Sequence, residues 1–154
     1  MKNRIESEGI KMEQSDLLKN KGVLITKLEN KGEELRNQWE EVFTKHLSKS
    51  QKSKIKFGQY MWHVFSFKKI DCLESKNAID AFNKLKKTEC YIFYQDDENG
   101  LMIANANRVK AEDITIKMGE YMDDVYFVDK DFTWTYIHTH EDFCGPYFYK
   151  INEK

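Results

Sequence analysis

Apolar positions recur at helical spacing in two stretches and crowd into short runs elsewhere. Leu35, Trp39, Val42, Phe43, His46 and Leu47 fall on one stripe, with Glu33, Glu34, Glu40 and Glu41 off it. That pattern predicts a helix from about Lys31 to Ser48 with one buried face. Its opening acids and its closing Lys45 and Lys49 suit the helix dipole. A second stripe, Ala78, Ile79, Phe82 and Leu85, predicts a helix running from an N-cap at Ser75 to about Lys87. A short helix is expected over Met12–Asn20, ending at Gly22 as a left-handed cap. Runs rich in β-branched and aromatic residues predict strands at Val23–Leu28, Met61–Phe67, Cys90–Gln95, Leu101–Ala106, Val125–Val128, Phe132–Thr139 and Pro146–Ile151. Asn99-Gly100 can supply the positive φ angles of a tight hairpin, and residues 129–131 close a second one. Residues 48–56 read as a polar, basic connection, and residues 111–122 carry both helix and strand signals. The sum is an α+β fold: a mainly antiparallel sheet, a meander in the C-terminal half, and two main helices packed on one face.

Composition narrows the class. A chain of 154 residues is the size of one domain, 1–154, and can bury roughly two-thirds of its surface without staples. Residues 1–9 are polar and expected to fray. They lack the apolar core of a secretory signal, and nowhere is there an uncharged apolar run near the ~20 residues of a membrane helix. Three cysteines, Cys72, Cys90 and Cys144, form no disulfide framework and point to a reducing, cytoplasmic setting.

The strand Phe132–His140 carries the densest chemistry. Alternation puts Phe132, Trp134, Tyr136, His138 and His140 on one side. His138, His140 and Glu141 could seat a zinc ion for hydrolysis, with His63 as a remote contributor and the aromatic row as an apolar wall. The favoured reading is plainer: no cofactor, an aromatic core, a hydrogen-bonded His138, and a polar turn at His140–Asp142. The spacing fits no established zinc pattern. Cys144 beside these histidines is a still weaker candidate nucleophile.

Charge is unevenly distributed. Residues 1–60 hold 13 Lys and Arg against 9 Asp and Glu, whereas residues 111–154 hold 4 against 10. From Val42 to Ile70 there are seven lysines and no acid, interleaved with Phe57, Tyr60 and Trp62. Such a stretch suits phosphate binding and base stacking. Only three arginines occur in the chain, however, and a solvated loop is favoured. Asp123, Asp124, Asp129, Asp131 and Asp142 would form an acidic face able to steer a basic protein partner.

Several blocks stand out together: Leu35-Arg36-Asn37-Gln38-Trp39, Trp62-His63-Val64-Phe65-Ser66, Cys90-Tyr91-Ile92-Phe93-Tyr94-Gln95, Trp134-Thr135-Tyr136, Thr139-His140-Glu141 and Gly145-Pro146-Tyr147-Phe148. From about Lys31 onward they resemble a family of small Gram-positive bacterial proteins known as a domain of unknown function. The resemblance implies a stand-alone cytoplasmic protein and supplies no catalytic residues. Ser75 stands where a glycine is expected. No P-loop, dinucleotide or nucleophile-elbow motif is present. The leading expectation is a non-catalytic protein-binding module, immunity- or antitoxin-like. Trp134, Tyr136, Trp62 and His63 are candidate contact residues. A metal-dependent hydrolase comes next, and nucleic-acid binding is the weakest.

Overall fold

The computed structural model describes residues 18–114, 124–141 and 143–151. The expected fraying of residues 1–9, most of the helix from Met12 and much of the ambiguous 111–122 stretch lie outside them. Residues 18–20 are helical, and Gly22 takes φ +79°, as a left-handed cap requires.

Seven strands form one sheet: β1 (Leu24–Leu28), β2 (Leu73–Glu74), β3 (Cys90–Tyr94), β4 (Gly100–Ala104), β5 (Val125–Asp129), β6 (Trp134–His138) and β7 (Tyr147–Lys150). Their order is β1-β4-β3-β5-β6-β7-β2, and every pairing is antiparallel. The expected meander is β5-β6-β7. The helices that lie wholly within the described residues are α1 (Gly32–Phe43), α2 (Lys49–Lys54), α3 (His63–Ser66) and α4 (Ser75–Lys84). The chain is thus α+β with an antiparallel sheet. Among the described residues no helix is long and apolar enough to cross a membrane.

The layering differs from the expected single helical face. Cys90, Ile92 and Tyr94 of β3 and Val125 and Phe127 of β5 pack with Ala78 and Phe82 of α4. Phe93, Tyr126 and Val128 pack instead with Leu35, Trp39 and Phe43 of α1. The two main helices therefore cover opposite faces. The cause lies in the strands themselves: CYIFY and VYFVD have no polar face to give to water, and a sheet covered on both sides reads as a near-continuous apolar run.

Met61–Phe67 is not a strand. Met61, Trp62, Val64 and Phe65 are buried, while His63, Ser66 and Phe67 are not. Buried pairs recurring three apart fit the turns of α3 rather than two-residue alternation. The supposed connection at 48–56 contains α2, started by a reciprocal cap in which Gln51 N donates to Ser48 Oγ (3.1 Å) and Ser48 N to Gln51 Oε1 (2.8 Å). Helix α4 stops at Lys84 because the buried Lys87 folds back, its Nζ donating to the carbonyls of Phe82 (2.8 Å) and Leu85 (3.1 Å). Burial lowers the Lys87 pKa to about 8.

Two turns depart from expectation. Neither Asn99 nor Gly100 takes a positive φ. A Cβ at Gly100 would stand 2.5 Å from Leu35 Cδ1, the mobile end of a side chain, whereas one at Gly32 would stand 2.2 Å from the backbone oxygen of Asp97, so the close approach that demands glycine is at Gly32. Ser75 makes no side-chain cap; its N–H donates to Pro146 O at 2.8 Å and its φ is +54°. The backbone at Ser75 therefore has the conformation that glycine adopts at least cost.

Candidate functional site

The site lies at the end of the sheet where β3 and β6 finish and β5 begins. Asp124 precedes β5 and is 1% exposed. Its carboxylate accepts three hydrogen bonds: from Trp62 Nε1 (2.8 Å), from the backbone N–H of His140 (2.6 Å) and from His140 Nδ1 (2.7 Å). A carboxylate so placed offers three donors the acceptor that burial would otherwise deny them. The neighbouring backbone is fixed as well. Gln95 N donates to Asp124 O (3.0 Å), Met61 N to Gln95 Oε1 (3.2 Å), and Trp62 N to Tyr126 OH (3.2 Å), while that hydroxyl donates in turn to Gln95 Oε1. Three segments remote in sequence, 60–63, 94–95 and 138–141, are thereby held as one unit.

The rings above this floor form a cluster. Tyr60 lies 5.1 Å from His63 and 5.4 Å from His140 between centroids. Trp62 meets His63 edge-on at 4.6 Å and stacks on Tyr147 at 6.2 Å. The Nδ1 of His63 stands 2.5 Å from Ile55 O, and a carbonyl only accepts, so Nδ1 carries the proton. His140 is likewise oriented by Asp124. Both imidazoles therefore direct Nε2 away from their anchors, and that of His140 lies 3.3 Å from Glu141 Oε1. An imidazole held by a buried carboxylate is also how a general base is oriented. Two large apolar side chains stand in solvent: Phe67, 55% exposed and 5.2 Å from His63, and Phe143, three residues after His140 and 100% exposed.

The expected His138–His140–Glu141 set is not brought together. His138 packs on the α4 side, its Nδ1 donating to Ile114 O at 3.2 Å, whereas His140 turns to Tyr60 and Trp62. Strand β6 ends at His138, so alternation no longer governs position 140. Alternation fails at the other end too. Phe132 has φ +55° and packs beside Phe43 and Tyr91, on the face opposite Trp134. Among the described residues no group of three His, Cys, Asp or Glu is arranged to hold a metal ion. Trp134 and Tyr136 are core residues against Phe82, not a pocket wall. Desolvation pushes the thiols of the buried Cys90 and the half-buried Cys72 up to about 12.

The sequence profile described as Domain of unknown function (DUF4275) matches residues 12–148. The chain belongs to that family. No curated protein and no solved structure matches it.

In this DUF4275 chain the described members of the expected acidic face, Asp124, Asp129 and Asp131, do not lie together. Asp123 and Asp142 lie outside the described residues. Asp124 is buried, while Asp129 and the exposed Asp131 stand at the far end of β5, about 17 Å away at ~3.3 Å per residue. Asp129 holds its own turn, accepting from Thr133 N at 2.6 Å. In the lysine-rich stretch, Lys52 pairs with Glu40 and Lys68 with Glu74, each at 2.8 Å, and Phe57 and Trp62 are buried rather than free to stack. The residues to which the sequence assigned no functional role are Phe67 and Phe143. Only the exposure of two aromatics distinguishes them, and exposure is a property of the fold.

Burial lowers the His138 pKa below that of an ordinary imidazole, partly opposed by its bond to Ile114 O and by the charge of Asp124. The unfolded chain therefore binds a proton near pH ~6.5 that the folded chain refuses. The stability this residue contributes is complete above that pH and is lost as pH falls toward the folded pKa. Unfolding free energies from urea titrations between pH 7 and 5 should decline by up to about 1.4 kcal/mol per pH unit from this group alone. His138→Gln should flatten that slope, and an unchanged slope would contradict the assignment.

Proposed function

We propose that this chain is a non-catalytic protein-binding module, immunity- or antitoxin-like in kind, and that its contact surface is the corner built on Asp124. The observation that carries this reading is the exposure of Phe67, against His63, and of Phe143, three residues after His140, in the two segments whose ring cluster is fixed by buried hydrogen bonds. Aromatic anchors on a rigid, partly polar surface are what concentrate binding energy at protein interfaces. A cytoplasmic protein of Gram-positive bacteria fits the sequence blocks and the three free cysteines. The contact surface is therefore aromatic, not the acidic face that charge counting suggests.

The test is capture from a lysate of the source organism on immobilised protein, comparing wild type with Phe67→Ser, Phe143→Ser and a control, Asp131→Asn, at the other end of the sheet. One stoichiometric partner should bind wild type and control. Each Phe variant should weaken binding by about thirtyfold, the size of a 2 kcal/mol hot spot, while keeping the wild-type circular dichroism. Failure of wild type to retain any partner, or equal retention by both Phe variants, would refute the assignment. A second reading rests on the His140–Asp124 pair, with His140 as the general base of a hydrolase. It requires turnover of an ester or amide that His140→Gln abolishes and Phe143→Ser leaves intact.

A further inference from the structure

Among the described residues β1 is the outermost strand and pairs only with β4. None of residues 24–29 is buried, and Leu24 is 65% exposed. An outer strand presents backbone N–H and C=O groups without strand partners, and proteins blunt such edges with proline, bulges, charged side chains or shortening of the strand. Of these devices β1 has only the charge of Lys27. Its sequence LITKL lacks proline and holds one charge, Lys27, and its five residues pair with β4 in unbroken register. The opposite edge strand, β2, has two residues and leads directly into α4.

The geometry points to an antiparallel pairing of β1 with β1 of a second copy of this chain, about a two-fold axis at Thr26. The symmetry restricts the register. A two-fold axis must carry a hydrogen-bonded pair onto itself, so it passes through a residue and not between two. Only the axis at Thr26 overlaps all five strand residues. Shifts of the axis to Ile25 or Lys27 keep three, and the latter sets the two lysines opposite each other.

In the full register Leu24 lies opposite Leu28 of the second copy, Thr26 opposite its own counterpart, and Ile25 opposite Lys27. Leu28 packs toward the α1 core and Ile25 toward the α4 core. Leu24, Thr26 and Leu28 therefore share one face, and in the pairing apolar side chains meet across the junction on it. No like charges fall directly opposite. The pairing leaves the Asp124 corner free, since β4, β3 and β5 separate β1 from β6. The dimer would carry two such corners.

Sedimentation velocity of the full chain, from low micromolar to several hundred micromolar, should show a dimer in reversible exchange with monomer. Thr26 is exposed, so charged replacements leave the fold intact, as circular dichroism will verify. Thr26→Arg and Thr26→Glu each place like charges across the axis and should raise the dimer Kd by about tenfold or more. An equimolar mixture of the two should recover a heterodimer at wild-type concentrations or tighter. A wild-type protein that stays monomeric throughout overturns the proposal. So does a dimer indifferent to both substitutions, or a mixture that fails to associate. These outcomes are independent of partner capture through Phe67 and Phe143.

Discussion

Trp39→Ala should lower the unfolding free energy by about 4 kcal/mol, the usual range for deleting a fully buried large aromatic. Trp39 is 0% exposed at the middle of α1. Its ring contacts Phe43 at 5.3 Å, Tyr126 edge-on at 5.5 Å, Phe65 edge-on at 6.2 Å and Phe57 at 6.4 Å. It therefore joins α1, the Phe57 and α3 segments and β5 in one cluster. Truncation leaves a cavity that these rings, held by their own elements, can fill only in part. The indole also donates from Nε1 to Thr135 Oγ1 at 2.9 Å, and that hydroxyl donates onward to Phe127 O at 3.3 Å. Trp39→Ala removes the donor, but Thr135 keeps its own acceptor, so the polar cost is small beside the cavity. Thr135→Val separates the two contributions. It leaves the indole N–H buried and unpaired, which should cost about 1–2 kcal/mol, while the cavity never forms. Urea unfolding followed by far-ultraviolet circular dichroism measures both. A Trp39→Ala loss below about 2 kcal/mol would mean that the cluster repacks and that α1 is not fixed through this residue.

How far the sequence disclosed the fold depends on which residues decide each element. The α1 stripe was legible because Leu35, Trp39 and Phe43 obey a local period and all three are buried. His46, assigned to the same stripe, is exposed because the helix has already ended at Phe43. The Ser48-x-x-Gln51 cap was legible in principle, since its two bonds join residues three apart, but the surrounding lysines disguised α2 as a loop. The α3 segment was ambiguous because seven apolar residues satisfy either period. What chose the helix was distant: Gln95 and Tyr126 accept from Met61 N and Trp62 N. The placement of α1 and α4 on opposite faces was available in the doubly apolar strands β3 and β5. The candidate site was the least legible part. Asp124 resembles its acidic neighbours in the chain, and its partners Trp62 and His140 are 62 and 16 residues away. No periodicity reports a contact of that kind. His63 and His140 were legible as chemistry, but the separation of His140 from His138 follows from where β6 stops, and strand ends are set by pairing and turn geometry.

Asp124→Ala should cost about 3–5 kcal/mol and should disable the corner before it unfolds the protein. The carboxylate is 1% exposed and is the shared acceptor for Trp62 Nε1, His140 N and His140 Nδ1. Removing it leaves a buried indole N–H without its acceptor and frees His140, with each lost acceptor worth about 1–3 kcal/mol. A buried charge that is this fully hydrogen-bonded costs little to keep, whereas deleting one side of such a set is strongly destabilising. Asp124→Asn tests the charge separately from the shape. The amide retains one oxygen, but its NH₂ group must face a donor, so about half of the loss should remain. Two readouts distinguish a local effect from general weakening. The Trp62 indole N–H resonance should move toward the solvent-exposed position in both variants, while that of Trp39, bonded to Thr135, should stay in place. Partner capture should fail for Asp124→Ala well below its melting temperature although Phe67 and Phe143 are unaltered, because the ring cluster has lost its floor. A loss of stability below about 1 kcal/mol would show the three hydrogen bonds to be incidental. Capture preserved together with a displaced Trp62 signal would show instead that the exposed aromatics bind without the rigid support assigned to them. The two measurements therefore decide separately whether Asp124 holds the corner and whether binding needs it held.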